Sequence, residues 1–426
     1  MRFKAEVFDN LQYLYQTTGF NDHQLHCVIQ FENKLSAATV ELAVRLLVKT
    51  VPALSRVYRN HNGSSYWEDA GTLKWADFFA IVDDKEAFDR FTFSKTNEEV
   101  GPQIKVCLLQ SDCDSLSIII NHMVADGAGI KQCACLLSDI YSKLLKDPEY
   151  RPEFVIDGDR SFKKVLSGIN LFDKIKILLL NNKDNNQDSD YKFPMSTEEN
   201  TSPFIFVHEV PPKKFDSIRS FCKMHNATVN DVILAAYFRA LSNILNLNGE
   251  TIGIPIMVDM RRYLNDKSFQ ALTNLSSTVI ISIAVRPDED FNQTLTKVVS
   301  EMNAKKSNYL GLSTFLKLDT LFNICRGKSG YKILKKSLKN PNICMTNIGV
   351  LNSSKLIFED SPISNAFICG SIKYRPHFQM SLSSFKDKMT FCVNLYGSSQ
   401  DRDNISLFFA LMDRELEAIS DSCPNR

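Results

Sequence analysis

The sequence lacks the features that mark several common classes of protein. Its 50 Lys and Arg are almost balanced by 49 Asp and Glu, so there is no basic excess of the kind that a nucleic-acid-binding protein needs. No apolar run approaches the ~20 residues that cross a membrane as a helix, and residues 1–6 lead into no hydrophobic segment. We therefore expect no nucleic-acid partner, no transmembrane segment and no signal peptide.

Motifs of several enzyme classes are missing as well. The sequence contains no Gly-x-Ser-x-Gly turn, no His-Glu-x-x-His pair and no phosphate-binding loop. Its 11 cysteines are scattered, and the spacing of Cys133 and Cys135 is wrong for a redox or zinc pair. An odd number of cysteines without a regular framework is typical of the reducing cytosol, so we expect a cytoplasmic protein without a metal site.

What the chain does contain is enough apolar sequence for two domains of ordinary size. It has 426 residues, of which 44% are hydrophobic, and strand-like and helix-like patterns alternate through both halves. Residues 181–203 are polar, charged and nearly free of aliphatic side chains, so they cannot form a core. We therefore predict an α/β (α+β) protein with an N-terminal lobe at 1–180, a polar crossover linker at 181–203 and a C-terminal lobe at 204–426.

One stretch combines a titratable side chain with a change of secondary structure. Ile118 to Ile120 is a β-branched run typical of a buried strand, and apolar residues from Ile130 to Leu144 recur at the three- and four-residue steps of a helix. His122 lies between them and shares one face with the apolar residues of the strand. A ring at the end of such a row lies at the rim of a core or in a cleft, where it can act as a base near neutral pH.

Three other interpretations of this stretch remain. His122 can be a structural residue whose hydrogen bonds are satisfied inside the protein. Together with Asp126 it can bind a metal ion, but two ligands are too few for a site. Gly127-x-Gly129 after a strand resembles a dinucleotide-binding fingerprint, yet Gln132 occupies the position of the third glycine and no acidic residue follows at the required distance.

The pattern His122-x-x-x-Asp126-Gly127 resembles the core motif of the chloramphenicol-acetyltransferase-like acyltransferases. These include condensation domains, polyketide-associated acyltransferases, alcohol acetyltransferases and wax ester synthases. Many members have a second histidine directly before the first, where this chain has Asn121. The resemblance implies that His122 is the catalytic base and that Asp126 and Gly127 support the site.

A second stretch, Thr228-x-Asn230-Asp231, resembles the start of a helix in the same superfamily, particularly in wax ester synthases. Thr228 is a good N-cap, and Asp231 suits the positive end of the helix dipole. The same residues also describe a well-capped core helix without any other role.

A third stretch, Asp259-x-Arg261, resembles the superfamily element in which an arginine pairs with the aspartate of the histidine motif. The resemblance implies an ion pair between Arg261 and Asp126, with Arg262 as the neighbour that can replace Arg261. A buried bidentate pair would hold the geometry of the site, whereas an exposed basic doublet would contribute little.

A fourth stretch, Thr346-Asn347-x-Gly349, resembles the Ser/Thr-Asn-x-Gly turn beside the substrate channel. In total, the resemblance implies four positions in or near a substrate channel: Asn121, Asn230, Thr346 and Asn347. It also implies two lobes, each a mixed sheet backed by helices, with the channel between them.

The function implied is transfer of an acyl group from a thioester, foremost acyl-CoA, to a small-molecule alcohol or amine. His122 would act as general base without a covalent acyl-enzyme, and no cofactor would be bound permanently. Two alternatives stay open. The donor can be an acyl-phosphopantetheine on an acyl or peptidyl carrier protein, which makes the protein a stand-alone condensation enzyme; or the chain can be a non-catalytic binding member of the fold. A two-lobed chain can build the channel alone, so we expect a monomer.

Overall fold

The computed structural model describes residues 2–61, 64–180, 190–265, 271–307, 309–325 and 327–421. The strands are β1 (Arg2–Lys4), β2 (Gln24–Phe31), β3 (Arg56–His61), β4 (Ser64–Asp69), β5 (Phe79–Val82), β6 (Ile104–Leu109), β7 (Ser115–Asn121), β8 (Ser202–Val210), β9 (Thr251–Asp259), β10 (Ser276–Ala284), β11 (Ile343–Leu351), β12 (Ile363–Cys369), β13 (Lys373–Tyr374), β14 (Phe378–Phe385) and β15 (Lys388–Gly397). The α-helices are α1 (Val7–Thr17), α2 (Ala37–Thr50), α3 (Lys85–Thr92), α4 (Gly127–Lys146), α5 (Lys163–Ser167), α6 (Leu171–Leu180), α7 (Pro212–Met224), α8 (Val229–Ile244), α9 (Phe291–Ser307), α10 (Leu312–Ile324), α11 (Gly327–Ser337) and α12 (Ser399–Asp421).

The first large sheet is five-stranded, in the order β12-β2-β7-β6-β5. Its strands β2, β7 and β6 are antiparallel, whereas β5 runs parallel to β6. Strand β7 lies in the middle, where Leu116, Ile118 and Ile120 are fully buried. The apolar faces of α2 and α4 complete this core, so the strand–helix pattern predicted around His122 is confirmed.

The second large sheet is seven-stranded, in the order β10-β9-β11-β14-β15-β13, with β8 paired to β15. It is also mixed, because β11 runs parallel to β9 and β14 while β14 and β15 are antiparallel. Apolar residues of α7, α8, α9 and α12 form the second core against it. The predicted α/β architecture, with mixed sheets backed by helices, is therefore confirmed.

The later part of the chain also contributes to the first sheet. Strand β12 pairs antiparallel with β2 over Ile363–Cys369, at the edge of the five-stranded sheet. A smaller apolar cluster joins α1 to later elements, with Phe8 against Phe315 at a ring-centroid distance of 5.3 Å. The division into 1–180, 181–203 and 204–426 stays a prediction, and residues 181–189 of the predicted linker lie outside the described residues.

Short polar signals place the helices that border the site. The Asp126 side chain accepts hydrogen bonds from the backbone N–H groups at the start of α4, and Thr228 caps α8 in a reciprocal box with Asp231. Helix α2 ends before Pro52, whose ring cannot continue a helix. Of the residues described, none belong to a helix long and apolar enough to span a bilayer.

Candidate active site

The loop that follows β7 holds His122 in one ring orientation. Its Nδ1 lies 3.0 Å from the carbonyl oxygen of Ala125, which can only accept, and 3.2 Å from Asn274 Nδ2, which already donates to the His122 carbonyl at 2.9 Å. We assign the hydrogen to Nδ1 because the contact with Ala125 is the shorter of the two. The backbone of His122 is held on both sides, because its N–H donates to the carbonyl of His23 at 2.7 Å and its carbonyl accepts from Asn274 Nδ2 at 2.9 Å. The other ring nitrogen, Nε2, is left with a free lone pair and makes no hydrogen bond to any described residue.

The surroundings of His122 keep the ring neutral. Burial lowers its pKa to about 4, against a smaller opposing effect of the Asp126 carboxylate. The positive charge of Lys373 lowers the pKa further. An uncharged imidazole with Nδ1 protonated is therefore the form present at neutral pH, and Nε2 can accept a proton.

Asp126 makes no hydrogen bond to the His122 ring and instead joins separate parts of the chain. Its Oδ1 accepts from the N–H of Gly129 at 3.0 Å, while its Oδ2 accepts from the N–H of Leu275 at 2.8 Å and from Arg261 Nη1 at 2.7 Å. Burial opposes ionisation of this carboxyl, but the Arg261 guanidinium outweighs it and holds the pKa of Asp126 below its ordinary value. The carboxylate is an anchor for the loop and not a partner of the imidazole.

Arg261 lies where the resemblance placed it, opposite Asp126. Its guanidinium also pairs with Asp259 at 3.2 Å and donates to the carbonyl oxygen of Thr273 at 3.0 Å. Arg262 is exposed and takes no part in this cluster. Arg261 therefore ties the end of β9 to the loop after β7.

Sequence reasoning missed two residues that hold the loop. Asn274 anchors the carbonyl of His122, and Arg160 donates to the carbonyls of Met123 at 3.0 Å and Leu272 at 2.8 Å. Arg160 also forms an ion pair with Asp9 of α1 at 3.0 Å. Both lie in irregular stretches without periodicity or a motif, so the sequence carries no signal that distinguishes them from other polar loop residues.

Asn121 lies beneath the loop, away from the position that the resemblance implied. Its side chain is fully buried, its Oδ1 accepts from the N–H of Met123 at 2.9 Å, and its Nδ2 lies 3.2 Å from His23 Nε2. It does not line the cavity described below, because the strand points it into the protein. Its contacts stabilise the turn that leads into His122.

In the Thr346-Asn347-x-Gly349 turn, the asparagine stabilises the backbone whereas the threonine lines the cavity described below. Asn347 Nδ2 donates to Asn230 Oδ1 at 3.0 Å, and Asn347 Oδ1 accepts from the N–H of Gly349 at 2.9 Å. Gly349 has φ of +81°, a conformation that favours glycine. Asn230 and Asn347 therefore bind each other and brace the turn, whereas Thr346 lines the cavity.

His122 opens onto a cavity of about 440 Å³ that both large sheets line. Gly127 also lines it, and a side chain at this position would lie 3.3 Å from Ile348. The remaining walls are apolar toward α1, α10 and α11, and polar around His122; the lining includes Phe8, Leu11, Tyr15, Asn21, Asn274, Ser276, Ser277, Thr278, Leu318, Leu321, Phe322, Leu334, Leu338, Lys339, Thr346, Ser371, Lys373 and Gln379. Within the described ranges, no three His, Cys, Asp or Glu side chains are grouped so as to hold a metal ion.

Comparison with known proteins identifies one matching family and several structures with a similar fold. Residues 272–417 match the WS/DGAT C-terminal domain family, while no curated protein matches the sequence. The first condensation domain of the calcium-dependent antibiotic synthetase superposes with a TM-score of 0.71 at 14% identity, over 99% of this chain and 97% of that one.

Two further structures have the same fold. Trichothecene 15-O-acetyltransferase of Fusarium sporotrichioides gives a TM-score of 0.71 at 12% identity, covering 96% of this chain and 94% of its own. Polyketide synthase associated protein 5 of Mycobacterium tuberculosis gives 0.69 at 12% identity, covering 97% and 98%. The chain therefore has the fold of these structures, as the motif around His122 predicts, and its residues 272–417 match the WS/DGAT C-terminal domain family.

Proposed function

We propose that this protein transfers an acyl group from a thioester to an alcohol or amine, with His122 as the general base. One observation supports the proposal most directly. His122 lines the cavity between the two large sheets, its imidazole is neutral, and its Nε2 makes no hydrogen bond to any described residue. A fold by itself does not decide a reaction, whereas the residues of a site do. The acyltransferase fold supports the same chemistry.

In the proposed reaction, His122 Nε2 accepts the proton of the acceptor hydroxyl or amine as that atom attacks the thioester carbonyl carbon. The resulting tetrahedral intermediate collapses, the carbon–sulfur bond breaks, and the imidazolium returns the proton to the departing thiolate. Holding both reactants in one cavity removes the need for a covalent acyl-enzyme. Ala125, through its carbonyl oxygen, stabilises the imidazolium because Nδ1–H remains its donor.

Lysines on and directly after α11, which borders the cavity, favour CoA over a carrier protein as the donor. Leu334 of α11 and Leu338 after it line the cavity, while Lys335 and Lys336 of the same helix are exposed and Lys339 lines the rim. Ammonium groups on and after a helix that borders the cavity suit the phosphates of CoA. A carrier protein would present the same pantetheine arm without these phosphates, so it stays the alternative donor.

We further propose that the protein acts as a monomer. The cavity receives residues from α1 and the loop after β7 on one side, and from β10, α10 and β11 on the other, all within one chain. A second copy is not needed to complete it.

The test is release of free thiol from a panel of acyl-CoAs in the presence of mixed alcohols and amines, followed by mass spectrometry of the products. We expect turnover by the wild type and a loss of roughly 10²–10⁴-fold in His122→Ala. His225→Ala, a change at an exposed histidine after α7, is the matched control and should retain full activity. An unaltered rate in His122→Ala would overturn the assignment, and failure of every acyl-CoA and acceptor to react would favour a non-catalytic binding protein.

A further inference from the structure

A second feature of the cavity takes no part in the proposed proton transfer. Lys373, in the short strand β13, lines the cavity although its side chain is only 7% exposed. Its ammonium group has no hydrogen bond or ion pair to any described residue. A buried ammonium without a partner is costly, and proteins retain one where it meets a charge of opposite sign.

Three more donors line the same part of the cavity. Asn21 forms a β-bridge with Lys373, and Ser371 lies two residues before Lys373. Gln379 lies close to the backbone of Gly370, because a Cβ added to Gly370 would be 2.9 Å from Gln379 Oε1. Asn21 Oδ1 is occupied by the N–H of His23 at 2.8 Å, which leaves its Nδ2 to donate. Across the described part of the chain, we find no acceptor for Asn21 Nδ2, Ser371 Oγ or the Gln379 amide.

A buried carboxylate lies near Lys373 without forming an ion pair with it. The nearby Asp22 carboxylate is buried, and its Oδ1 accepts from the N–H groups of Ile372 at 2.9 Å and Gln24 at 3.1 Å. The Asp22 carboxylate favours the charged form of Lys373, whereas burial lowers the pKa of this lysine. A single ammonium group at this point of the cavity lining matches a ligand with a single negative charge better than a phosphate dianion.

We propose that Asn21, Ser371, Lys373 and Gln379 form a subsite for the carboxylate of a small organic ligand in this cavity. The ammonium supplies the opposite charge, and the amide and hydroxyl donors occupy the remaining lone pairs of the two oxygens. The apolar walls contributed by α1 and α10 receive the rest of the ligand. The ligand expected is therefore a monocarboxylate, which either the acyl group or its acceptor can carry. Assigning the carboxylate to one of these reactants rests on the proposed acyl transfer, whereas the existence of the subsite does not depend on it.

The deciding experiment is calorimetric titration of the full chain with benzoate and with benzamide, which have the same shape but differ in charge. Wild type should bind benzoate more tightly than benzamide. Lys373→Met, nearly isosteric and free of charge, should lower benzoate affinity by about 30-fold or more, because it removes one partner of a buried charge pair. Ser371→Ala should lower it by a smaller factor. Lys223→Met, at an exposed lysine of α7 that does not line the cavity, is the control that should not change it.

A midpoint of thermal unfolding for Lys373→Met that equals or exceeds the wild-type midpoint shows that the variant is folded. The proposal is overturned if benzoate does not bind at millimolar concentration, if benzamide binds equally well, or if Lys373→Met binds benzoate as the wild type does. Displacement of benzoate by succinyl-CoA and not by butyryl-CoA assigns the carboxylate to the acyl group, and retention of benzoate with both assigns it to the acceptor. Repeating the titration in His122→Ala separates the two proposals, since benzoate binding there stands whether or not acyl transfer occurs.

Discussion

The backbone carbonyl oxygen of Ala125 lies 3.0 Å from Nδ1 of His122 and favours the tautomer in which Nδ1 carries the hydrogen. In many histidine-dependent sites a carboxylate performs this task. Here the carboxylate of the same motif, Asp126, binds Arg261 and backbone N–H groups instead. The His122 ring is therefore oriented by the loop itself, so the contacts that hold the loop also fix the position of the imidazole.

The first prediction concerns pH. Because burial lowers the pKa of His122 to about 4, acyl transfer should be independent of pH through the neutral range and fall only as the pH approaches about 4. The unfolded chain binds this proton near pH ~6.5, so the stabilisation associated with neutral His122 is lost progressively from about pH 6.5 down to about pH 4.

The rate of acyl transfer measured as a function of pH tests the first statement. Denaturant unfolding of the wild type and of His122→Ala over the same pH range tests the second. Lys373→Met removes a positive charge that lowers this pKa, so its acid limb should move to higher pH. A wild-type limb near pH ~6.5, the value of an unperturbed imidazole, would contradict the assignment.

The second prediction concerns Asp126. Asp126→Asn leaves Arg261 facing an amide in a buried site and should cost about 3–5 kcal/mol of unfolding free energy. Asp259→Asn removes the other, exposed partner of the same guanidinium and should cost no more than ~1 kcal/mol. Denaturant titration of both variants measures the difference; a stable Asp126→Asn protein with only a shifted pH optimum would show that the carboxylate acts on the imidazole.

The third prediction concerns the turn after Thr346. Gly349→Ala places a Cβ at φ of +81° and should destabilise the protein by about 1–2 kcal/mol, with a loss of activity as Thr346 and Asn347 shift. Gly71→Ala is the control, because no atom lies within 4 Å of the added carbon. Unfolding midpoints of the two variants test this, and equal midpoints would contradict it.

The fourth prediction concerns the donor. Replacing Lys335 and Lys336 together by Ala should raise KM for acyl-CoA while leaving KM for the matching acyl-pantetheine, which has no such phosphates, unchanged. The exposed Lys223 lies in α7, which contributes no residue to the cavity lining, so Lys223→Ala should change neither constant. An equal rise in KM for both donors would show that the lysines act on the fold or the pantetheine arm, and no rise for acyl-CoA would favour a carrier-protein donor.

Local patterns were sufficient to predict the elements around the site. The β-branched run before His122 and the apolar repeat from Ile130 to Leu144 correspond to β7 and α4, and Thr228 caps α8 as its neighbours indicate. Strand β12 was not predicted as part of the first sheet. Its pairing with β2 joins residues more than 300 positions apart, such as Cys369 and His26, and no local pattern contains that information.

The sequence by itself determined which side chain is the candidate base and which fold surrounds it, because a strand–helix junction and its short motif are local properties. Only the tertiary structure decided what each polar group does. It turned Asn121 inward, paired Asn230 with Asn347, and brought Arg160, Asn274 and Lys373 to the loop or the cavity from distant parts of the chain. The physical reason is that hydrogen-bond partners and burial, which determine the pKa and the orientation of a side chain, are supplied mostly by residues remote in sequence.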